Sequence, residues 1–180
     1  MDDSARLTQP VSARDHAEGP ADAPLTLVEY GDYQCPYCGA AYPVVKRLQK
    51  ALGNKLRFVF RNFPVTQAHP YALIAAETAE AAALQGKFWE MHDLLFEKQP
   101  HLKTKHLHSY AEQLGLDMAR FTAEMDDHVY LQRVREHQEG GRRSHVRGTP
   151  GFFVNGRIQD VSFGLNHLFD AVGAALAPRR

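Results

Sequence analysis

The chain's two cysteines stand three residues apart, in Tyr33-Gln34-Cys35-Pro36-Tyr37-Cys38-Gly39, between a run with strand character and a run with helical character. Two are too few for a disulfide scaffold or a four-cysteine metal site, so spacing and context decide their role. The strand is Leu25-Thr26-Leu27-Val28-Glu29-Tyr30, bounded by Ala23-Pro24 and Gly31-Asp32, with Glu29 its one charged residue. From Pro36 onward Ala41, Val44, Val45, Leu48 and Leu52 recur at helical spacing, opposite Lys46, Arg47, Gln49 and Lys50, and Gly53-Asn54 stops the run. Pro36 suits the first helical position, where its missing N–H has no partner to lose, whereas Pro43 falls in the interior and predicts a kink. Leu56 to Phe63 reads as a second buried strand closed by Pro64. Strand, helix and strand in succession make a βαβ unit with a right-handed crossover.

Residues 69 to about 146 change character. An Ala-rich stretch from Tyr71 to Leu84 is followed by Lys87 to Lys98, then by Leu107, Tyr110, Ala111 and Leu114 at helical spacing, then by Met118, Phe121 and Met125 after the N-cap Asp117. These predict four or five helical segments with the apolar stripes as core. Gly151 to Val154 and Arg157 to Val161 read as short strands joined by Asn155-Gly156, the strongest two-residue hairpin signal. A closing helix presents Leu165, Leu168, Phe169, Val172 and Leu176 on one face. The first 22 residues are polar and without periodicity, which predicts an arm that crosses the surface or frays.

With 44% apolar and 23% charged residues among 180, the chain is an ordinary globular one. Its 21 basic and 21 acidic side chains cancel, so no global field recruits nucleic acid or an anionic membrane. The start, Met1-Asp2-Asp3-Ser4-Ala5-Arg6-Leu7, is acidic and lacks the apolar run of a signal peptide. Apolar stretches such as Ala72 to Ala76 fall far short of the roughly 18 residues that span a bilayer. The expectation is a soluble, cytoplasmic chain, or the mature form of a periplasmic or exported protein whose signal has been removed.

A Cys-X-X-Cys that opens a helix after a strand places Cys35 over the helix N-terminus, where unpaired N–H groups and the dipole stabilise an anion, and Cys38 one turn further in. Such thiols reach pKa values of about 3.5 to 7.5. Redox chemistry is the favoured reading; two buried hydrophobes, or half of a zinc site, are the alternatives. A second element is Gly148-Thr149-Pro150-Gly151 before Phe152-Phe153-Val154, where a proline taken alone favours trans and simply starts a strand.

The set Glu29, Cys35-Pro36-Tyr37-Cys38, Arg61-Asn62-Phe63-Pro64, Phe88-Trp89-Glu90-Met91-His92 and Gly148-Thr149-Pro150-Gly151-Phe152-Phe153-Val154-Asn155-Gly156 resembles the DsbA-like branch of the thioredoxin superfamily, over residues 24 to about 176. The resemblance implies an α/β fold, a thioredoxin-like core (β-α-β plus β-β-α) with an inserted α-helical domain. The corresponding boundaries are an N-terminal arm at 1–22, core halves at 23–66 and 147–180, and the insertion at 67–146. It further implies that Cys35 and Cys38 form the redox disulfide and that Pro150 is a cis-proline facing it. Thr149, Pro36 and Tyr37 are then substrate-binding positions, and Glu29 is a buried acid that exchanges a proton with Cys38. The competing reading of Glu29 is an acid that reaches solvent at the strand end.

His145 departs from the pattern, because glycine usually stands there; a left-handed cap is its default reading and tuning of the site the alternative. Arg142, Arg143 and Arg147 flank it, as a solvated basic edge or as a guide for an acidic peptide or a glutathione carboxylate. His101, His106 and His108 share no helical face, and no metal or cofactor is expected. Trp89 reads as core, with a docking groove as the alternative.

The resulting expectation is a monomeric thiol-disulfide oxidoreductase acting on polypeptide thiols or disulfides, an oxidant rather than a reductant. Its regenerating partner would be glutathione or a membrane oxidase. A glutathione-linked reductase and a chaperone-like binding module with incidental thiols are the competing functions.

Overall fold

The computed structural model describes residues 6–162 and 164–177; residues 1–5, 163 and 178–180 of the segments bounded above lie outside the described residues. The elements run β1 (His16–Glu18), β2 (Leu25–Gly31), α1 (Pro36–Leu52), β3 (Leu56–Asn62), α2 (Ala72–Ala83), α3 (Phe88–Glu97), α4 (Thr104–Gln113), α5 (Met118–Asp126), α6 (Leu131–Arg143), β4 (Gly151–Val154), β5 (Arg157–Gln159) and α7 (Asn166–Leu176). The sheet has the order β1-β3-β2-β4-β5, with β2 and β3 parallel and every other pair antiparallel. This is a thioredoxin-like mixed sheet, with five helices between β3 and β4.

The period-2 alternation of a strand assigns each residue of β2 to one face. Leu25 and Leu27 belong to the larger core cluster, with Cys35, Cys38, Ala41 and Val45 of the α1 side. Val28 and Tyr30 face the other way, against Val59, Phe63, Val146 and Phe153. Parity therefore puts Glu29 on the face of the cysteines. On the opposite face the end of α6 comes close to the sheet: a β-carbon on Gly141 would lie 2.7 Å from the Phe63 ring. The helix α1 runs on through Pro43 to Leu52.

The N-terminal arm is more structured than its composition predicts. Its residues His16–Glu18 pair with β3 as an edge strand. Arg61 of β3, 1% exposed, fixes the rest. Its guanidinium donates to both carboxylate oxygens of Asp15 at 2.8 and 3.0 Å, to the carbonyls of Gln9 and Pro10, and to the Tyr30 hydroxyl. Earlier in the arm, Thr8 bonds the Ser144 hydroxyl after α6, and the Leu7 N–H donates to the Gly156 carbonyl in the β4–β5 turn. A polar arm has no apolar period to reveal it; what orders this one is a buried cation that needs acceptors. In the closing helix Leu168 and Val172 are buried, but Phe169, expected on the same face, is 41% exposed.

Replacing Arg61 by alanine leaves the buried Asp15 carboxylate unpaired and frees the arm. The expected loss is about 3 kcal/mol of unfolding free energy, a fall in Tm of roughly 6–12 °C for a domain of this size. Thermal and urea denaturation of the variant measure it; a loss below about 1 kcal/mol contradicts the clasp.

Candidate active site

Cys35 is the N-cap of α1, with extended dihedrals (φ −69°, ψ 123°), and Pro36 follows at the start of the helix. The cap position needs a non-helical residue, and its own side chain makes no capping bond, so the sulfur is left beside the free amides of the first turn. Cys38 sits one turn in and is fully buried. Both are free thiols, and Pro36 and Tyr37 between them are exposed, Tyr37 to 75%.

The chain approaches Cys35 a second time from β4. The Thr149–Pro150 peptide bond is cis. The Thr149 carbonyl accepts a hydrogen bond from the Cys35 thiol at 3.4 Å. Structure thus brings together Cys35, Cys38, Thr149 and Pro150, and adds Glu29 from the middle of β2. Glu29 is 2% exposed and its Oε1 has no hydrogen-bond partner, which excludes the solvent-reaching alternative.

The two thiols have been driven apart. The side-chain hydrogen bond from Cys38 is the largest influence on Cys35; burial opposes it, and the Thr149 side chain and the N–H groups of Cys38 and Tyr37 reinforce it. The outcome is a Cys35 pKa of about 5, against an ordinary value of 9.0. Burial pushes the Cys38 thiol well up, aided by its bond to Cys35 and by the charge of Glu29. Burial, and secondly the charge on Cys35, raise Glu29 to about 8. A carboxyl that holds its proton near neutrality beside a reluctant thiol is suited to proton transfer.

Residues that no motif singled out hold the turn in place. Asp32, 1% exposed, uses both carboxylate oxygens: Oδ1 accepts from the N–H groups of Gln34 (2.8 Å) and Cys35 (3.2 Å), and Oδ2 from Val65 N–H (2.8 Å) and His69 Nδ1 (2.7 Å). Its own N–H points at Cys38 Sγ, 3.5 Å away. From the α3–α4 connection Gln99 donates to the carbonyls of Tyr33 and Cys35, and its amide lies against Gly39, where a β-carbon would meet Oε1 at 2.4 Å and displace it. Beneath the turn the buried Tyr33 hydroxyl bonds His92 Nδ1 at 3.0 Å. An Asp three residues before a cysteine at a helix start is a readable turn signal; His69 and Gln99, distant in sequence, leave none.

A groove of about 880 Å³ opens beside the site, lined by Tyr37, His145, Arg147, Thr149, Ile158 and Leu165 among others. His145 has φ +63°, the left-handed conformation expected of a residue that ends α6. The three arginines do not act as one cluster: Arg143 lies 3.1 Å and Arg142 3.8 Å from Glu139, and only Arg147 reaches the groove. Trp89 packs on Phe58, Phe88 and His92 and is absent from the groove lining. His101 and His106 meet edge to face and His108 packs on Phe121. Among the described residues no three His, Cys, Asp or Glu side chains are grouped to hold a metal ion.

The sequence model of a family described as thioredoxin matches residues 12–172. The chain belongs to that family. The fold is shared with BdbD from Bacillus subtilis, solved in its oxidised form, which superposes with a TM-score of 0.84 over 96% of this chain and 98% of that one, at 23% identity. A thioredoxin-like oxidoreductase from Silicibacter pomeroyi DSS-3 gives a TM-score of 0.74 at 27% identity, covering 91% and 93% of the two chains. Among curated sequences, the Na(+)/H(+) antiporter NhaA 1 of Salinispora arenicola is 49% identical over 167 residues, 93% of this thioredoxin-family chain but 26% of that protein. The chain spans about a quarter of the length of that relative, and the relative's name is that of the longer protein.

Because the pKa of Glu29 is raised on folding, its contribution to stability is complete below 4.5 and is lost as pH rises towards about 8. Glu29→Gln escapes this loss. The reduced variant should gain stability relative to the reduced wild type as pH rises through that window, by up to about 1.4 kcal/mol per pH unit. Urea titrations at both ends of the window measure the difference; a pH-independent difference contradicts a buried, protonated Glu29.

Proposed function

We propose that this chain is a thiol-disulfide oxidoreductase that exchanges disulfides with polypeptide thiols through Cys35 and Cys38, and that it works as an oxidant. The observation that carries this reading is the Cys35 sulfur at the start of α1, with its pKa lowered to about 5 and its thiol 3.4 Å from the Thr149 carbonyl. In the oxidising direction a substrate thiolate attacks Cys35 Sγ of the Cys35–Cys38 disulfide. The S–S bond breaks, its electron pair passes to Cys38, and a mixed disulfide forms. Protonated Glu29 supplies a proton to the departing Cys38 thiolate, which burial disfavours as an anion. A second substrate thiolate then attacks the substrate sulfur of the mixed disulfide and expels Cys35 as thiolate. The substrate leaves with a disulfide and the protein is reduced.

The same bonds support the oxidant direction. Everything that stabilises the Cys35 thiolate stabilises the reduced protein, so the disulfide form is the more readily reduced one, and a low-pKa thiol leaves faster. The exposed Tyr37, the Thr149 backbone and the groove beside them offer an extended polypeptide a place to lie next to the sulfur. A separate redox partner must reoxidise the dithiol, and an oxidising compartment suits the cycle.

Cys35→Ser is expected to reduce exchange with a peptide dithiol to background, whereas full activity without Cys35 sinks the enzyme reading. Equilibration with glutathione buffers tests direction: a potential near about −120 mV marks an oxidant, and one near about −270 mV a reductant.

A further inference from the structure

We infer that Asp32 and His69 are a pair of positioning residues that hold the Asp32 amide on Cys38 Sγ and thereby assist the step in which Cys38 attacks a mixed disulfide. The inference rests on the exchange reading above and adds residues that lie outside the Cys-X-X-Cys and Thr-Pro motifs.

Asp32 touches the machinery of both sulfurs. Its carboxylate and its carbonyl both accept the Cys35 N–H, at 3.2 and 3.1 Å, while its own N–H faces Cys38 Sγ at 3.5 Å. An amide aimed at a sulfur favours the anionic sulfur, and among the influences on Cys38 this contact is the one that opposes burial. Where that amide points depends on where the Asp32 carboxylate is held. Four donors hold it, two from its own turn and two from the segment after β3, Val65 N–H and His69 Nδ1. A second bond between the same segments, from Tyr71 N–H to Gln34 Oε1 at 2.7 Å, keeps the two loops in register. Only His69 among the side chains holding Asp32 reaches solvent, with 19% of its side chain exposed, so it can be replaced without opening the core.

The chemistry affected can be isolated with glutathione disulfide as the probe. The Cys35 thiolate of the reduced protein attacks one sulfur of the probe; a glutathione thiolate leaves, and a protein–glutathione mixed disulfide forms. The Cys38 thiol then passes its proton to the Glu29 carboxylate and attacks Cys35 Sγ. The Cys35–glutathione S–S bond breaks, a second glutathione leaves as thiolate, and the Cys35–Cys38 disulfide closes. The dithiol has been oxidised, and one glutathione disulfide has been reduced to two thiols. The Asp32 amide acts in the second step, by stabilising the Cys38 thiolate.

Acid quenching followed by mass spectrometry resolves the mixed disulfide from the closed disulfide, so both steps are timed in one experiment. His69→Ala is expected to slow the second step about fivefold with the first step within about twofold of wild type, and Asp32→Ala to slow the second step about tenfold or more. His69→Asn, whose Nδ2 stands where Nδ1 stood, should restore the second step. Three outcomes overturn the inference: an unchanged second step in His69→Ala, equal slowing of both steps in that variant, or an Asn variant as slow as the Ala variant. If the wild-type protein forms no mixed disulfide at all, the exchange reading itself falls and takes this inference with it, a result that none of the other three resembles.

Discussion

The free amides at the start of α1 are what the rest of the site is built around. A helix leaves its first N–H groups without partners, and here the chain offers them a sulfur where most helices offer an oxygen. Once that sulfur carries charge, neighbouring features acquire a purpose. The second thiol must remain protonated to donate to it, burial keeps it so, and burial likewise holds the proton on Glu29. The amides of Tyr37 and Cys38 add to the larger effect of the Cys38 thiol on the Cys35 sulfur.

Parity does as much as proximity. Glu29 reaches the cysteine face because β2 is locked in register on both sides, opposite Phe60 of β3 and Phe152 of β4. A slip by one residue would send the acid to the Tyr30 face and expose the sulfurs to a tyrosine. Central strands of parallel pairs read as continuous apolar runs, so a lone charge within one is a conspicuous exception. That exception was legible before any coordinates.

Much else was legible for the same reason: it repeats. The helical period of α1, the Ala-rich α2 and the Asn155-Gly156 turn announce themselves locally, and with the paired cysteines they delimit the two halves of the sheet and the helices between them. What stayed hidden has no period. The strand His16–Glu18 has neither length nor apolar alternation, and exists because Arg61 and β3 require partners. His69 reaches the Asp32 carboxylate and Gln99 two backbone carbonyls, each more than thirty residues away, and nothing near them in sequence marks the connection. Phe169 shows the converse: helical spacing predicts an inward side chain, yet it is 41% exposed. Adjacency in sequence does not tell that Glu139 engages Arg142 and Arg143 while Arg147 reaches the groove.

The arm that clasps Arg61 also touches the chain on both sides of the Thr149–Pro150 loop, at Ser144 before it and at Gly156 after it. The loop is thereby splinted by a foreign length of backbone, and its two ends are not free to move independently. Loops that carry binding groups usually trade order for adaptability. Here the arm instead gives the Thr149 loop anchors on both flanks, at Ser144 and Gly156.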